Sequence, residues 1–213
     1  FPGRTEGMNT KLEAMKKAIA RLPLVDKVTF SGAVPGEEVA TFLSNRRKSD
    51  ALKQNRLYEM LVCDPDYIDA YGLQLVAGRG FSEDYGDDVN KLVVNESAVR
   101  NLGIASNEEA LGEEIEVECT DAPMQIIGVV KDYHQQALNK NYTPIMLIHK
   151  DKIDWLPQRY ISIVMKSGDP KELVSQVEEI WHRYFEDSSY DFFFLDQFLR
   201  VAGLHHNGDV ALR

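Results

Sequence analysis

The segment Asp132-Tyr133-His134 could supply a carboxylate and an imidazole for acid–base chemistry. A carboxylate and an imidazole are the usual groups for general acid–base catalysis near neutral pH. However, neighbouring side chains in an extended segment point to opposite sides, and no nucleophile stands close to this pair in sequence. We therefore expect a loop at the end of a strand here, and we predict no catalytic residues.

The candidate metal ligands are an acidic segment, residues 83–90, and a scattered set of histidines and cysteines. Carboxylates in a flexible loop can bind Ca²⁺, and Gly86 would permit a sharp turn, but the spacing differs from that of an EF-hand. Cys63 and Cys119 stand far apart, and the histidines lack zinc-site spacing, apart from an adjacent pair near the C-terminus. We predict a solvated acidic loop, no metal site and no cofactor.

Motifs of several common enzyme classes are absent from the sequence. The chain contains no G-x-S-x-G, H-E-x-x-H, C-x-x-C or G-x-G-x-x-G. It also lacks G-x-x-x-x-G-K-[ST], the loop that holds the phosphates of ATP. We therefore predict that the chain is not an enzyme and that any ATP hydrolysis belongs to another segment or polypeptide.

Composition and charge disfavour several other classes of function. The hydrophobic fraction of 44% and the charged fraction of 27% are typical of a globular protein with a packed core. A net charge of −10 disfavours binding to nucleic acid or to an anionic membrane surface, because both require basic patches. No apolar run approaches the roughly 18–20 residues that a membrane-spanning helix needs. Since the chain starts at Phe1 rather than Met, we expect it to be a fragment of a longer protein.

The first part of the chain is predicted to begin with a helix and a strand. Thr10 and Glu13 have the spacing of a capping box. One face of the predicted helix is an apolar stripe at helical spacing, made of Met8, Leu12, Met15, Ile19 and Leu22. Val25–Ser31 is typical of a strand. The polar segment Gly32–Asn55 is interpreted as a long connection with a short strand or helical turn around Val39–Leu43.

The middle of the chain is predicted to be rich in strands. Short apolar or alternating runs are separated by Gly, Asp and Pro. They are Leu57–Cys63, Leu73–Val76, Lys91–Val94, Glu114–Cys119, Met124–Val130 and Pro144–His149. Two short helices interrupt them, one opened by Pro65 and capped by Asp64, the other at Glu96–Leu102.

The last third is predicted to form a strand–helix–strand unit. Tyr160–Lys166 alternates as a strand does, and Asp169-Pro170 is typical of a helix start. Tyr190–Leu195 is a nearly continuous apolar run, which predicts a last strand buried on both faces, with Phe192, Phe193 and Phe194 in the core. The simplest architecture is an α+β fold in which both chain ends form one α/β subdomain and the strand-rich middle is inserted as another.

Five motifs follow one another in the middle of the chain over about 70 residues. They are Asp64-Pro65-Asp66-Tyr67, Gly78-Arg79-Gly80-Phe81-Ser82, Leu92-Val93-Val94-Asn95-Glu96, Leu111-Gly112-Glu113-Glu114-Ile115 and Ile126-Ile127-Gly128-Val129-Val130-Lys131-Asp132-Tyr133-His134. In their order and spacing they resemble the MacB-like periplasmic core domain of permeases of the FtsX-like class. The late strand and helix fit the same resemblance, whereas the polar segment at 204–209 departs from it.

The motif positions also have ordinary structural explanations. Glycine permits turns and close backbone approach, Arg79 can hold a carboxylate or carbonyls, and Asn95 and Asp132 can satisfy backbone groups at strand ends. We expect these positions to shape the fold. They are Asp64, Pro65, Tyr67, Gly78, Arg79, Phe81, Asn95, Glu96, Gly112, Gly128, Val129, Asp132 and His134.

The resemblance implies a division of the chain into two parts. Residues 1–72 and 150–200 would form a βαβ-type Porter-like subdomain, and residues 73–149 would form an inserted β-rich Sabre-like subdomain. Residues 201–213 would be a tail.

The resemblance also implies a function and a location. The chain would lie on the periplasmic face of the bacterial inner membrane, as a soluble fragment of a membrane-embedded ABC transporter permease. It would transmit ATP-driven movement and dock cargo or partner proteins for export or extraction. Its partners would be the transmembrane part of the same permease, a cytoplasmic ATP-binding subunit, and in some systems a second permease copy and a periplasmic adaptor or lipoprotein.

Two other functions stay open at this point. One is a periplasmic domain that senses a small molecule or peptide in a cleft between the subdomains. The other is an envelope hydrolase that uses His134 and nearby acids.

Overall fold

The computed structural model describes residues 6–136, 141–153, 155–156, 158–186 and 189–201. Among these residues the helices are α1 (Glu6–Ala20), α2 (Tyr67–Ala70), α3 (Glu96–Asn101), α4 (Pro170–Tyr184) and α5 (Leu195–Val201). The strands are β1 (Val25–Ser31), β2 (Phe42–Arg47), β3 (Arg56–Cys63), β4 (Leu75–Gly78), β5 (Lys91–Asn95), β6 (Glu114–Val117), β7 (Met124–Val130), β8 (Ile145–His149) and β9 (Tyr160–Met165). They belong to one sheet, so the fold is mixed α/β.

Six of the strands close into a ring. Their order is β2-β6-β7-β5-β8-β3, and β2 also pairs with β3, which joins the two ends of this series. The pairs β5–β7 and β3–β8 are parallel, and the others in the ring are antiparallel. Because each strand of the ring is paired on both sides, none of these six strands has a fully unpaired edge.

Strand β3 contributes side chains to two cores. Tyr58, Met60 and Val62 point into the ring core, which also contains buried residues of β5, β6, β7, β8 and α3. Leu61 and Cys63 point to the opposite side and pack in a second core with α2. Burial on both faces explains why Met60–Cys63 is uniformly apolar in sequence.

The two chain ends meet in an α/β layer beside the ring. β1 leaves β3 at the pair Ser31–Cys63 and runs antiparallel to β9 over most of its length. Helices α1 and α4 pack together on one face of β1 and β9. The helix residues buried in this α/β core are Leu12, Met15, Ile19, Leu173, Val177 and Ile180.

The ends of the helices follow the sequence only in part. Asp169 caps α4, since its side chain accepts a hydrogen bond from the Lys171 backbone N at 3.0 Å, and Pro170 is the first residue of the helix. This start agrees with the prediction. In contrast, α1 begins at Glu6, so the predicted capping box at Thr10 and Glu13 is wrong, because both residues lie inside the helix.

Strand β2 lies within the segment that the sequence analysis interpreted mainly as a connection. The alternation of apolar and polar residues that would have indicated a strand is interrupted, because the polar residue Asn45 occupies a fully buried position. The Asn45 amide nitrogen lies 3.2 Å from the Met60 sulfur, and its oxygen accepts a hydrogen bond from the Glu118 backbone N at 3.3 Å. A buried amide with such partners is stable, but its sequence pattern is that of a loop.

The predicted last strand at Tyr190–Leu195 is wrong. Among the described residues, 190–194 belong to no strand or helix, and α5 begins at Leu195. The side chains of Phe192, Phe193 and Phe194 are 52%, 48% and 39% exposed, so they are not core residues. An aromatic run has high strand propensity, but it forms a strand only if a neighbour supplies hydrogen bonds.

The strand pairings connect the stretches that were predicted as separate subdomains. β2 and β3 precede residue 72, yet they pair with β6 and β8 from the middle of the chain. The division of the chain at residues 72 and 150 stays a prediction. The predicted tail at 201–213 lies outside the described residues, apart from Val201.

Candidate functional site

Asp64 lies at the end of β3 and holds three elements together. Its carboxylate accepts hydrogen bonds from the Phe30 backbone N at 2.9 Å and the Thr29 hydroxyl at 2.5 Å, both on β1. It also accepts one at 2.6 Å from the Lys16 ammonium on α1, and one from the Asp66 backbone N before α2. Since Asp64 is 1% exposed, this carboxylate is a buried junction between α1, β1 and α2.

Lys16 is the cation of this junction. Burial opposes its charge, but the nearby carboxylates of Asp64 and Asp66 outweigh this effect and hold the pKa of Lys16 above its usual value. Lys16 also lies over the Phe30 ring, with 5.8 Å between its nitrogen and the ring centroid. The ammonium group is therefore held in place on several sides.

Two aromatic motif residues fill the second core. Tyr67 is fully buried in α2, and its ring packs against that of Tyr71 with centroids 4.8 Å apart. Phe81 is buried in the same core and meets His149 edge-on at 5.7 Å. The helix predicted to open at Pro65 with Asp64 as its cap begins later, because α2 starts at Tyr67 and its cap residue is Asp66. The predicted start and cap are therefore wrong.

Arg79 binds the acidic segment that follows it. Its guanidinium donates to both carboxylate oxygens of Asp88, at 2.6 and 2.8 Å, and stacks on the Tyr85 ring at 3.9 Å. Asp88 also accepts a hydrogen bond from the Ser82 backbone N, and the hydrogen bond from Arg79 lowers the pKa of Asp88. Among the described residues, no group of histidine, cysteine and carboxylate side chains forms a metal site.

Asn95 joins α3 to β8. Its side-chain oxygen accepts hydrogen bonds from the Ala98 backbone N at 2.9 Å and the Ile145 backbone N at 3.0 Å. Its amide nitrogen donates to the Thr143 carbonyl at 2.8 Å. Asn95 thus caps the helix and replaces a backbone partner at the end of the ring.

Glu96 and Asp132 join α3 to the end of β7. Glu96 accepts a hydrogen bond from the Asp132 backbone N at 3.0 Å. The Asp132 carboxylate accepts from the Ser97 backbone N and hydroxyl, and from Arg100 at 2.5 Å. Its oxygens are therefore already bound by α3.

His134 does not combine with Asp132 into a catalytic pair. The His134 ring packs on Tyr142, with centroids 4.6 Å apart, while the Asp132 carboxylate is held by α3. Acid–base catalysis requires the two groups to reach a common reacting atom. Within the described residues, these side chains have separate partners.

The remaining motif positions lie in or beside strand β7 and in the turn before β6. Gly78 and Gly128 are paired across β4 and β7. Gly112 lies at a turn before β6 with a φ of 89°, and Val129 is fully buried. The motif residues are thus spread over several junctions and do not converge on one pocket.

A large cavity lies where the sequence analysis expected a filled sheet. Its volume is about 1130 Å³, and it is bounded by β9, the start of α4 and residues 189–197. Tyr160 and Phe193 meet edge-on across it at 6.0 Å. The aromatic run at 192–194 was the feature of the sequence that could have indicated this cavity, but the sequence analysis assigned these residues to the core.

The helices of the described part of the chain are all too short or too polar to cross a membrane. A comparison with protein-family models matches residues 2–180 to the MacB-like periplasmic core domain. The chain belongs to this family. This confirms the resemblance of the five motifs, and it means that the chain is a periplasmic domain of an ABC-type transporter permease of the MacB type.

Solved structures show the same fold. The periplasmic region of MacB from Actinobacillus actinomycetemcomitans is 16% identical, with a TM-score of 0.62 over 98% of this chain and 92% of that one. The extracellular domain of the noncanonic ABC-type transporter YknZ from Gram-positive bacteria is 15% identical, with a TM-score of 0.56 over 83% of this chain and 84% of that one. A comparison with curated proteins found no match.

Membership of the family also bears on catalysis. Domains of the MacB-like periplasmic core family are the non-catalytic, extracytoplasmic parts of their permeases. This agrees with the absence of enzyme motifs from the sequence and with the structural use that the fold makes of Asp132.

Proposed function

We propose that this MacB-like domain transmits ATP-driven movement of its permease and docks cargo or partner proteins in the periplasm. The observation that supports this proposal most directly is that buried carboxylates of the motifs hydrogen-bond different helices and strands to one another. Asp64 ties α1, β1 and α2 together, and Asp132 ties α3 to β7. A body cross-linked in this way can move as a unit when it is pushed at one end.

The partners belong to the same proposal. Movement would come from a cytoplasmic ATP-binding subunit through the transmembrane part of the permease. A second permease copy and a periplasmic adaptor or lipoprotein would meet the domain on its surface. The family supports a membrane part and an ATP-binding partner in general, and the second permease copy and the adaptor or lipoprotein belong to the proposal alone.

Exposed apolar side chains are the candidate contacts for such partners. Leu52, in the connection between β2 and β3, is 74% exposed, and Trp155 is 57% exposed. Large side chains of this kind serve as anchors in protein interfaces.

The proposal is tested in the full-length transporter. We expect Leu52→Ala or Trp155→Ala to reduce transport or transport-coupled ATP hydrolysis severalfold, because a docking anchor is lost, while the melting temperature of the isolated domain stays the same. Glu83→Ala, an exposed change in the acidic segment, is the matched control. Unchanged transport in both variants and throughout a wider alanine scan of the surface would contradict the proposal.

The cavity beside β9 favours one second candidate, a domain that senses a small molecule or peptide. Its volume of about 1130 Å³ is close to the upper range of ligand pockets. Saturable binding accompanied by a rise in melting temperature would support sensing.

A further inference from the structure

The outer edge of β9 has no paired strand in the part of the chain that the structure describes. β9 is hydrogen-bonded to β1 on one side, and within the described residues no strand pairs with its other side. Residues 189–194 lie across the cavity from this edge, and no backbone hydrogen bond joins them to β9 in the described part of the chain. In the described part of the chain, the cavity therefore forms a slot between the outer edge of β9 and the segment 189–194.

The side chains around the slot are mostly large and apolar, as in the interior of a sheet, but they are partly exposed. Phe192, Phe193 and Phe194 are each at least 39% exposed, and all residues of β9 are partly exposed. Exposed aromatic area is unfavourable in water by about 25 cal/mol per Å². Aromatic residues favour positions in a sheet, so the segment 192–194 and the edge of β9 present the kind of surface that a further strand would cover.

The direction of the missing strand follows from the helices. α4 connects β9 to residues 189–194 by a crossover, so this segment should run parallel to β9 when it joins the sheet. α1 leads into β1, packs beside α4 on the same face of the layer, and needs a crossover partner of its own. A strand that precedes α1 and runs parallel to β1, with β9 between them, completes a split β-α-β arrangement. This strand falls in the slot and runs antiparallel to both of its neighbours.

We propose that the slot is filled by an extended strand from the polypeptide that leads into α1 in the full-length permease. The proposal rests on the proposed function in one respect, namely that this domain is part of a longer permease chain. The strand covers the aromatic side chains of residues 192–194 and pairs with β9. It thereby joins the α/β layer directly to the polypeptide on its membrane side, so that movement of that polypeptide acts on the sheet itself.

Hydrogen exchange tests the proposal on two versions of the domain. One is the present 213-residue chain, and the other begins roughly ten residues earlier in the parent protein, enough for one strand. In the longer version we expect the amides of β9 and of residues 189–194 to exchange at least about tenfold more slowly. The amides of β4, which within the described residues also pairs on one side only, are the internal control and stay unchanged.

Each other outcome overturns the proposal. Equal exchange in the two versions means that the preceding polypeptide does not enter the slot. Protection of β9 in the present chain that rises with protein concentration assigns the slot to a second copy.

A peptide experiment covers the case in which the longer version does not fold. The added residues, supplied as a separate peptide, should protect β9 saturably. Protection by a scrambled peptide of the same composition to the same degree assigns the slot to any extended ligand and overturns the proposal. Failure of the proposed function would appear as unaffected transport in the surface variants, which these exchange experiments do not measure.

Discussion

Single buried charges organise this domain. Asp64 receives hydrogen bonds from β1, from the segment before α2 and from Lys16 on α1, which lies 48 positions away in sequence. The cost of burying the carboxylate is offset because several donors, one of them charged, surround it.

Removal of the charge of Asp64 should therefore destabilise the domain. We expect Asp64→Asn to lower the free energy of unfolding by about 2–4 kcal/mol, because Lys16 loses its buried partner. The measurement is urea denaturation at neutral pH. The control is Asp69→Asn, whose carboxylate pairs with Lys27 and is 77% exposed, and which should change stability by less than about 0.5 kcal/mol. Equal effects of the two changes would contradict this account.

The Arg79–Asp88 pair should make stability depend on pH in the acid range. The hydrogen bond from Arg79 lowers the pKa of Asp88 below 3.8, so folding favours the charged form. The stabilisation is present above that value and is lost as the pH falls through the folded pKa. We expect the stability advantage of the unmodified domain over Asp88→Asn, measured by urea denaturation, to shrink between about pH 5 and pH 2. An advantage that is constant over this range would show that the carboxylate charge is not responsible.

At the scale of elements, β4 crosses β7 with unusually close backbones. A Cβ atom on Gly128 would lie 2.0 Å from the Arg79 carbonyl oxygen, and one on Gly78 would lie 2.1 Å from the Ile127 carbonyl oxygen. Gly78 also has a φ of 66°, which glycine adopts most easily. Glycine is therefore needed on both sides of this pairing.

Gly128→Ala should separate β4 from β7. We expect a loss of stability of about 2 kcal/mol or more, because the added methyl group collides with backbone that cannot rotate away. Thermal melting measures the loss. Gly86→Ala is the matched control, since a Cβ at that position meets no atom within 4 Å. A Gly128→Ala protein that melts at the same temperature as the control would contradict the close approach.

At the scale of the whole molecule, the ring and the α/β layer share one sheet. β3 pairs with β2 and β8 in the ring and meets β1 of the α/β layer at its last residue. Its two faces contribute to different cores. The two parts are therefore linked by backbone hydrogen bonds as well as by packing.

We expect the domain to unfold in a single cooperative transition. Fluorescence of Trp181, in the α/β layer, should change at the same urea concentration as far-UV circular dichroism, which reports on all the strands. A Trp155→Phe variant leaves Trp181 as the only tryptophan and makes the signal specific. Two separate transitions would instead show that the chain divides into independently stable subdomains, as the resemblance to Porter and Sabre parts first suggested.

The sequence by itself determined features that depend on neighbouring residues. The stripe of α1, the Asp169 cap of α4, and the strands at 25–31, 57–63 and 124–130 all follow from local periodicity and local hydrogen bonding. The five motifs determined the family, because their order survives in sequence even where no single motif is specific.

The tertiary structure alone decided which distant segments meet. Closure of the ring through β2 requires the buried Asn45, and the junction at Asp64 requires Lys16, yet neither partnership has a local pattern. Residues 190–194 show the converse, since their composition is that of a strand but the described residues offer them no paired neighbour. Strand formation and burial depend on partners far away in the chain. The periodicity of a segment shows only whether it can form a strand or helix when such a partner is present.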